Sequence, residues 1–140
     1  MIKCVLRALF IVLIALPVTL FADDAERDEA IAAVISDQLD AFAKDDEDRA
    51  FSHASPSIQL HFDSPGYFME MVRRSYPMIY RPQSYELGGV RVVPDKIFQT
   101  ASFVDQKYGR YQVLYEMQQQ GDGVWKINGV RVVKSRDVVV

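Results

Sequence analysis

Apolar residues at Ile31, Val34, Ile35, Leu39 and Phe42 recur at helical spacing, while Asp37, Asp40 and Lys44 fall on other sides of the same turn pattern. The spacing predicts a helix over residues 24–43. Its first turns hold Asp24, Glu26, Asp28 and Glu29, and acids there are favoured by the helix dipole. Asp45-Asp46 reads as a cap for a short second helix that turns Ala50, Phe51 and Ala54 inward. Ser55-Pro56 is expected to close it, since a residue before proline is biased away from helix. Ser64-Pro65 opens a third helix, with a serine cap and proline at the first helical position. On it Tyr67, Phe68, Met71, Val72 and Ser75 share a face, and Pro77 ends or kinks it.

Beyond Pro82 the period changes from helical to alternating, and residues 85–93, 97–104, 111–118 and 124–133 read as strands. Residues 105–109 and Gly121-Asp122-Gly123 supply turns between the last three. Tyr111, Val113, Tyr115 and Met117 line one face of the third strand, with Gln112, Leu114, Glu116 and Gln118 on the other. In the fourth, Trp125 and Ile127 oppose Lys126 and Asn128, and Asn128-Gly129 marks a bulge or bend. One apolar and one mixed face is the pattern of an antiparallel sheet covered on one side. Helices first and strands afterwards give an α+β class: N-terminal helices on a curved antiparallel sheet of about four strands.

The segment ahead of these elements changes the picture of compartment. Lys3 and Arg7 precede an apolar run over residues 8–16, Pro17 breaks it, and Asp23-Asp24 opens a polar chain after Ala22. That order is a secretory signal peptide. A spanning helix needs roughly 20 apolar residues, and residues 5–22 approach that length only by including Arg7, Pro17 and Thr19. The expected organisation is a signal peptide over residues 1–22 and one domain over residues 23–140, periplasmic or secreted. The lone cysteine, Cys4, would leave with the signal, so the mature chain has no disulfide framework and no thiol chemistry. Losing Lys3 and Arg7 leaves 14 basic against 19 acidic residues, a net charge of −5. The bases form no stripe, so a nucleic-acid partner has no electrostatic footprint. No membrane association is expected once the signal is gone.

Candidate chemistry is sparse. His53 and His61 are the only histidines, and a zinc site wants three or four ligands. His53 is expected on the exposed or boundary side of the short helix and His61 in a connecting strand or loop. Asp45, Asp46, Glu47 and Asp48 lack the alternation, central glycine and terminal glutamate of a calcium loop. Asp63 and Asp105 are accounted for by cap and turn roles. There is no nucleophile elbow, phosphate-cradling loop or dinucleotide fingerprint. Gly88-Gly89 reads as a strand break with no helix behind it. No catalytic residue, metal site or cofactor is expected.

The order of segments nevertheless has a likeness. Ile31, Val34-Ile35, Gln38-Leu39, Ala41-Phe42 and Asp45-Asp46 lead into Ala50-Phe51, Ala54-Ser55-Pro56 and Ile58. Phe68, Met71-Val72 and Tyr76 follow, then Val113, Tyr115 and Asp122-Gly123-x-Trp125-x-Ile127-Asn128-Gly129. Together they resemble a small exported bacterial family known as domain of unknown function 4864. That family is similar to the cone-shaped folds of the nuclear-transport-factor-2 and ketosteroid-isomerase type. Such sequences often carry Gly-Cys where this chain has Gly129-Val130, and the family brings no catalytic motif. The resemblance implies a cavity between the curved sheet and the helices. Tyr67 and Met71 on the third helix, with Tyr85 and Tyr115 on strands, are the residues expected to line it. Aromatic walls with a few hydroxyls suit a mainly apolar ligand. The expected function is non-catalytic binding of a small apolar ligand or a protein partner, a second copy in a homodimer included. The alternatives are an isomerase- or dehydratase-like enzyme using a pocket Tyr with an Asp or His, and a structural envelope protein.

Overall fold

The computed structural model describes residues 19–107 and 109–134, so the signal-peptide assignment lies, for residues 1–18, outside the described residues. Helix α1 spans Thr19–Ala43, α2 Glu47–Ser52, α3 Pro56–Phe62, α4 Pro65–Ser75 and α5 Pro77–Tyr80. Strands β1 Ser84–Val93, β2 Lys96–Asp105, β3 Gly109–Gln119 and β4 Trp125–Lys134 follow as one antiparallel sheet in sequence order. The α+β class expected from the sequence is the class observed. Among the described residues no helix is long and apolar enough to cross a membrane.

The predicted stripe of α1 is its buried face: Ile31, Ile35, Leu39 and Phe42 are buried and Val34 is half-buried. The helix starts at Thr19, five residues before the expected acidic turn. Asp46 caps α2, its carboxylate accepting from the Arg49 amide (3.2 Å), and Ser64 caps α4 by accepting from Tyr67 (3.3 Å).

Ser55-Pro56 corrects the sequence reading. It closes α2 but also opens α3, because the Ser55 hydroxyl accepts from the Ile58 amide (3.3 Å) and Pro56 occupies the first helical position. His61 therefore stands on a helix, exposed, and not in a strand or loop. Pro77 follows the end of α4 and starts the short α5 at its first helical position, there without a side-chain cap. There are five helices among the described residues, where three were expected.

On the sheet, Tyr111, Val113, Tyr115 and Met117 of β3 face the helices with Gln99, Ala101 and Phe103 of β2 and Trp125 and Ile127 of β4. Both edge strands carry an irregularity. In β1 the register shifts between Leu87 and Val90, so Gly88-Gly89 lies within the strand and does not break it. In β4, Glu116 pairs with Gly129 while Met117 pairs with Ile127, leaving Asn128 as the extra residue of the bulge expected from Asn128-Gly129. The extra residue restarts the alternation: Trp125 and Ile127 point inward before it, Val130 and Val132 after it.

The chain before α3 also pairs with β4. The Ser55 amide donates to the Ile127 carbonyl (2.8 Å) and the Ile127 amide to the His53 carbonyl (2.8 Å), a parallel bridge that docks the α2–α3 junction on the sheet edge. This contact fixes α3 and α4 over the bulge and frames the space beneath them.

Candidate functional site

Between α1, α3, α4 and the β3–β4 pair lies a cavity of about 300 Å³. Its floor is made of buried side chains: Gln38 and Phe42 from α1, Val72 from α4, Ile79 from α5, Tyr115 from β3 and Ile127 from β4. Its rim is half-buried and consists of Ile58 and Phe62 on α3, Met71 on α4, Tyr76, and Asn128 to Val130 at the bulge. Phe68 separates floor from rim and meets Phe42, Phe51 and Phe62 with ring centroids 5.4 to 6.3 Å apart. Among the described residues no Asp, Glu, His, Lys or Arg lines this space.

The polar groups of the lining are few. Gln38 is buried within the apolar stripe of α1, and its amide Nε2 donates to the Ala50 carbonyl (3.0 Å), tying α1 to α2. Asn128 is held at both ends: its Oδ1 accepts from the Ser55 hydroxyl (2.8 Å) and its Nδ2 donates to Glu116 (3.1 Å). Glu116 in turn accepts from Lys96 (3.1 Å), and these two donors hold its carboxyl below the usual glutamate range, Lys96 having the larger effect. Tyr115 differs. It is 1% exposed, and its hydroxyl has no hydrogen-bond partner among the described residues. Burial, with a smaller push from Tyr85, raises its pKa far above the ordinary phenol value, so it remains a neutral O–H.

Of the four residues singled out from the sequence, Met71 and Tyr115 come together on this cavity. Tyr67 and Tyr85 do not. Tyr67 is 69% exposed and borders a surface dent with Glu70 and Arg74. The buried centre of α4 runs through Phe68, Met69 and Val72, which leaves Tyr67 on the outer flank. Tyr85 is 41% exposed on the edge strand β1, stacked on Phe103 (5.7 Å), beside an open depression that includes Asp40, Tyr80 and Arg81. The sequence reading missed Gln38, Ile58, Phe62 and Asn128 as lining residues. A polar residue inside an apolar helical stripe, and the i, i+4 pair behind Ser55-Pro56, were the available signals.

The remaining chemistry sits on the surface. His53 pairs with Asp37 (2.5 Å), next to Arg49, which also reaches Asp40 and Asp46. Asp45 accepts from Tyr80, Arg73 and Arg81, and both guanidiniums lie over the Tyr80 ring at 5.4 and 4.9 Å from its centroid. Among the described residues no group of three or more His, Cys, Asp or Glu is placed to hold a metal ion.

No curated protein and no solved structure matches the chain. Residues 24–140 match the family described as a domain of unknown function (DUF4864), and the chain belongs to that family.

Proposed function

We propose that the protein binds one small, mainly apolar molecule in the cavity beneath α3 and α4 and catalyses no reaction on it. The composition of the lining carries this reading: aliphatic and aromatic walls, a half-buried rim, and no side chain able to exchange a proton near neutral pH. An isomerase-like reaction would need a carboxylate or imidazole beside Tyr115, and the lining supplies neither. The position of the cavity, between the helices and an antiparallel sheet bent by bulges at both edges, suits the likeness to the nuclear-transport-factor-2 type of fold. A structural role through the outer sheet face is less well supported, because Phe98 and Leu114 there are interspersed with Thr100, Ser102, Gln112 and Glu116.

The test is titration of the purified protein with a neutral fluorescent probe such as N-phenyl-1-naphthylamine. Saturable one-to-one binding is expected, lost in Met71→Trp, which places an indole across the rim without entering the buried floor. Tyr67→Ala and Tyr85→Ala should bind as wild type does. Absence of saturation, or a Met71→Trp protein that is folded and binds unchanged, defeats the reading.

Export is proposed separately, on the order of basic start, apolar run and polar chain at the N-terminus. Cleavage after Ala22 would start α1 at Asp23, with Asp23, Asp24 and Glu26 at its positive end. An intact mass from the periplasmic fraction checks it. A chain that keeps residues 1–22 rejects it.

A further inference from the structure

The two edges of the sheet differ in how they are covered. The β4 edge is bridged at Ile127 by the α2–α3 junction. Among the described residues no strand pairs with the outer edge of β1, which runs for ten residues, is mostly exposed, and contains neither lysine nor proline. An edge of that length and composition is a template for another strand. It also leaves apolar side chains in water, Val92 at 60% exposure and Tyr85 at 41%.

The bulge decides which strand fits. In β1, Gly88 and Gly89 together stand opposite Thr100. Gln99 Nε2 donates to the Gly88 carbonyl (2.7 Å) and the Thr100 hydroxyl to the Gly89 carbonyl (3.0 Å). A side chain on Gly88 would collide with that hydroxyl, so the bulge is locked into the β1–β2 pair. It shifts the alternation by one residue. Tyr85 and Leu87 before it, and Val90 and Val92 after it, share the helix side of the sheet, while Glu86 and Arg91 both stand on the outer face. A regular strand laid along β1 would lose its register at the bulge. A second β1 running antiparallel carries the same irregularity at the same place.

We infer that this edge is a homodimer interface: the β1 strands of two copies pair antiparallel about a two-fold axis at Gly88-Gly89 and join the two sheets into one. In that register Glu86 lies opposite Arg91 of the second copy, and Arg91 opposite its Glu86, on the outer face. Tyr85 lies opposite Val92 and Leu87 opposite Val90 on the helix side, where an aromatic and a β-branched residue pair well. Each pair joins residues of one face, as directly opposed cross-strand neighbours must. Moving the register by two residues either way sets each charge opposite an uncharged residue and puts the two bulges out of step. Within one copy neither Glu86 nor Arg91 has an ion pair among the described residues, so both are available to the second. The arrangement is isologous and closes at two copies. It is one strand deep, at the small end of specific interfaces, so association at micromolar concentrations is expected.

Sedimentation velocity of the purified protein from about 1 µM to about 500 µM reads the association directly. Wild type should pass from monomer to dimer as concentration rises, and the β1 amides should gain hydrogen-exchange protection in step with it. Glu86→Arg and Arg91→Glu each place two like-charge pairs across the strands, and each should associate at least about tenfold more weakly at low salt. An equimolar mixture of the two variants should recover wild-type association, because every pair across the mixed dimer is again of opposite charge. A protein that stays monomeric to the top of the range overturns the proposal, and a strand from another protein would then be the better occupant of the edge. A dimer whose β1 amides stay unprotected overturns it as well. So does association indifferent to both variants, or a mixture that associates no better than its parts. If either variant fails to fold, the concentration dependence and β1 protection of wild type decide.

Discussion

Two tyrosine hydroxyls show how polar chemistry is distributed in this molecule. At the surface, the Tyr80 hydroxyl donates to Asp45, receives Arg73 (3.2 Å), and has two guanidiniums over its ring. In the interior, the Tyr115 hydroxyl has no hydrogen-bond partner among the described residues. Energetics alone would favour the reverse. Near water a hydrogen bond is nearly neutral, whereas an unsatisfied buried donor costs about 1–3 kcal/mol. The exposed cluster is understandable as a fastener: Asp45, in the left-handed region at φ 53°, ends the α1 side and meets side chains from α4 and α5. The Tyr115 ring is part of the core, but its hydroxyl fastens no second element among the described residues, so the contrast separates a tyrosine that works through its oxygen from one that works through its ring.

Phe42 joins the two regions and offers the largest effect. It is 2% exposed, lines the cavity floor, and its ring centroid lies 6.3 Å from both Phe68 and Tyr80. Phe42→Ala is expected to cost about 3–5 kcal/mol in urea denaturation. It should also weaken probe binding in whatever fraction stays folded. A loss below about 1 kcal/mol would mean the helix face and the cavity are packed independently, and the contrast drawn above would lose its common wall.

How far this arrangement could be read in advance differs by element. The stripe of α1 and the alternation of β3 were legible because burial there follows a single period, 3.6 or 2, without interruption. The Asn128 bulge was legible from Asn-Gly inside a strand. Helix α3 was not, because the same Ser-Pro pair can end one helix and cap the next. Only the contact of the α2–α3 junction with β4 decides that both happen. At the candidate site, Tyr115 and Met71 followed from face assignment. Tyr67 and Tyr85 did not reach the cavity because a helix face read from sequence has no fixed centre, and an edge strand covers only half of its inward residues. That Tyr115 lacks a partner was beyond the sequence, since it depends on which neighbours from other elements come within 3.5 Å.

The surface cluster gives a smaller effect than the interior. Asp45→Asn removes the charge but keeps a residue that tolerates positive φ. Tyr80→Phe removes the shared hydroxyl. Each should lower the melting temperature slightly, less than Phe42→Ala does. The difference from wild type should shrink as salt rises past about 0.1 M, because these groups are exposed. Asp45 is held below the usual aspartate range, chiefly by Tyr80 and further by Arg81 and Arg73. Removal of Tyr80's hydroxyl should therefore raise the Asp45 pKa towards ordinary values, readable by carboxyl-carbon NMR. A large, salt-independent loss in either variant would show that the cluster is part of the core and would erase the distinction from Tyr115.

Glu116 stands between the two extremes and gives the smallest effect. It lies on the outer sheet face, yet through Asn128 and Ser55 it braces the cavity rim. Lys96 holds its folded-state pKa below the ordinary 4.5, with Asn128 contributing after it. Between the folded and unfolded values the native state binds fewer protons than the unfolded chain, so stability rises with pH there. The contribution is complete above the ordinary glutamate value and is lost as pH falls through the lowered one. Wild type should therefore lose this increment on acidification below the ordinary glutamate value, within the broader loss from other carboxylates. In Glu116→Gln the amide can no longer pair with Lys96 as a charge, so part of that acid slope should vanish while stability near neutrality drops only a little. The same variant should shift probe affinity modestly through Asn128, which borders the cavity and donates to Glu116. Unchanged affinity in Glu116→Gln would mean that the rim is held without this bond.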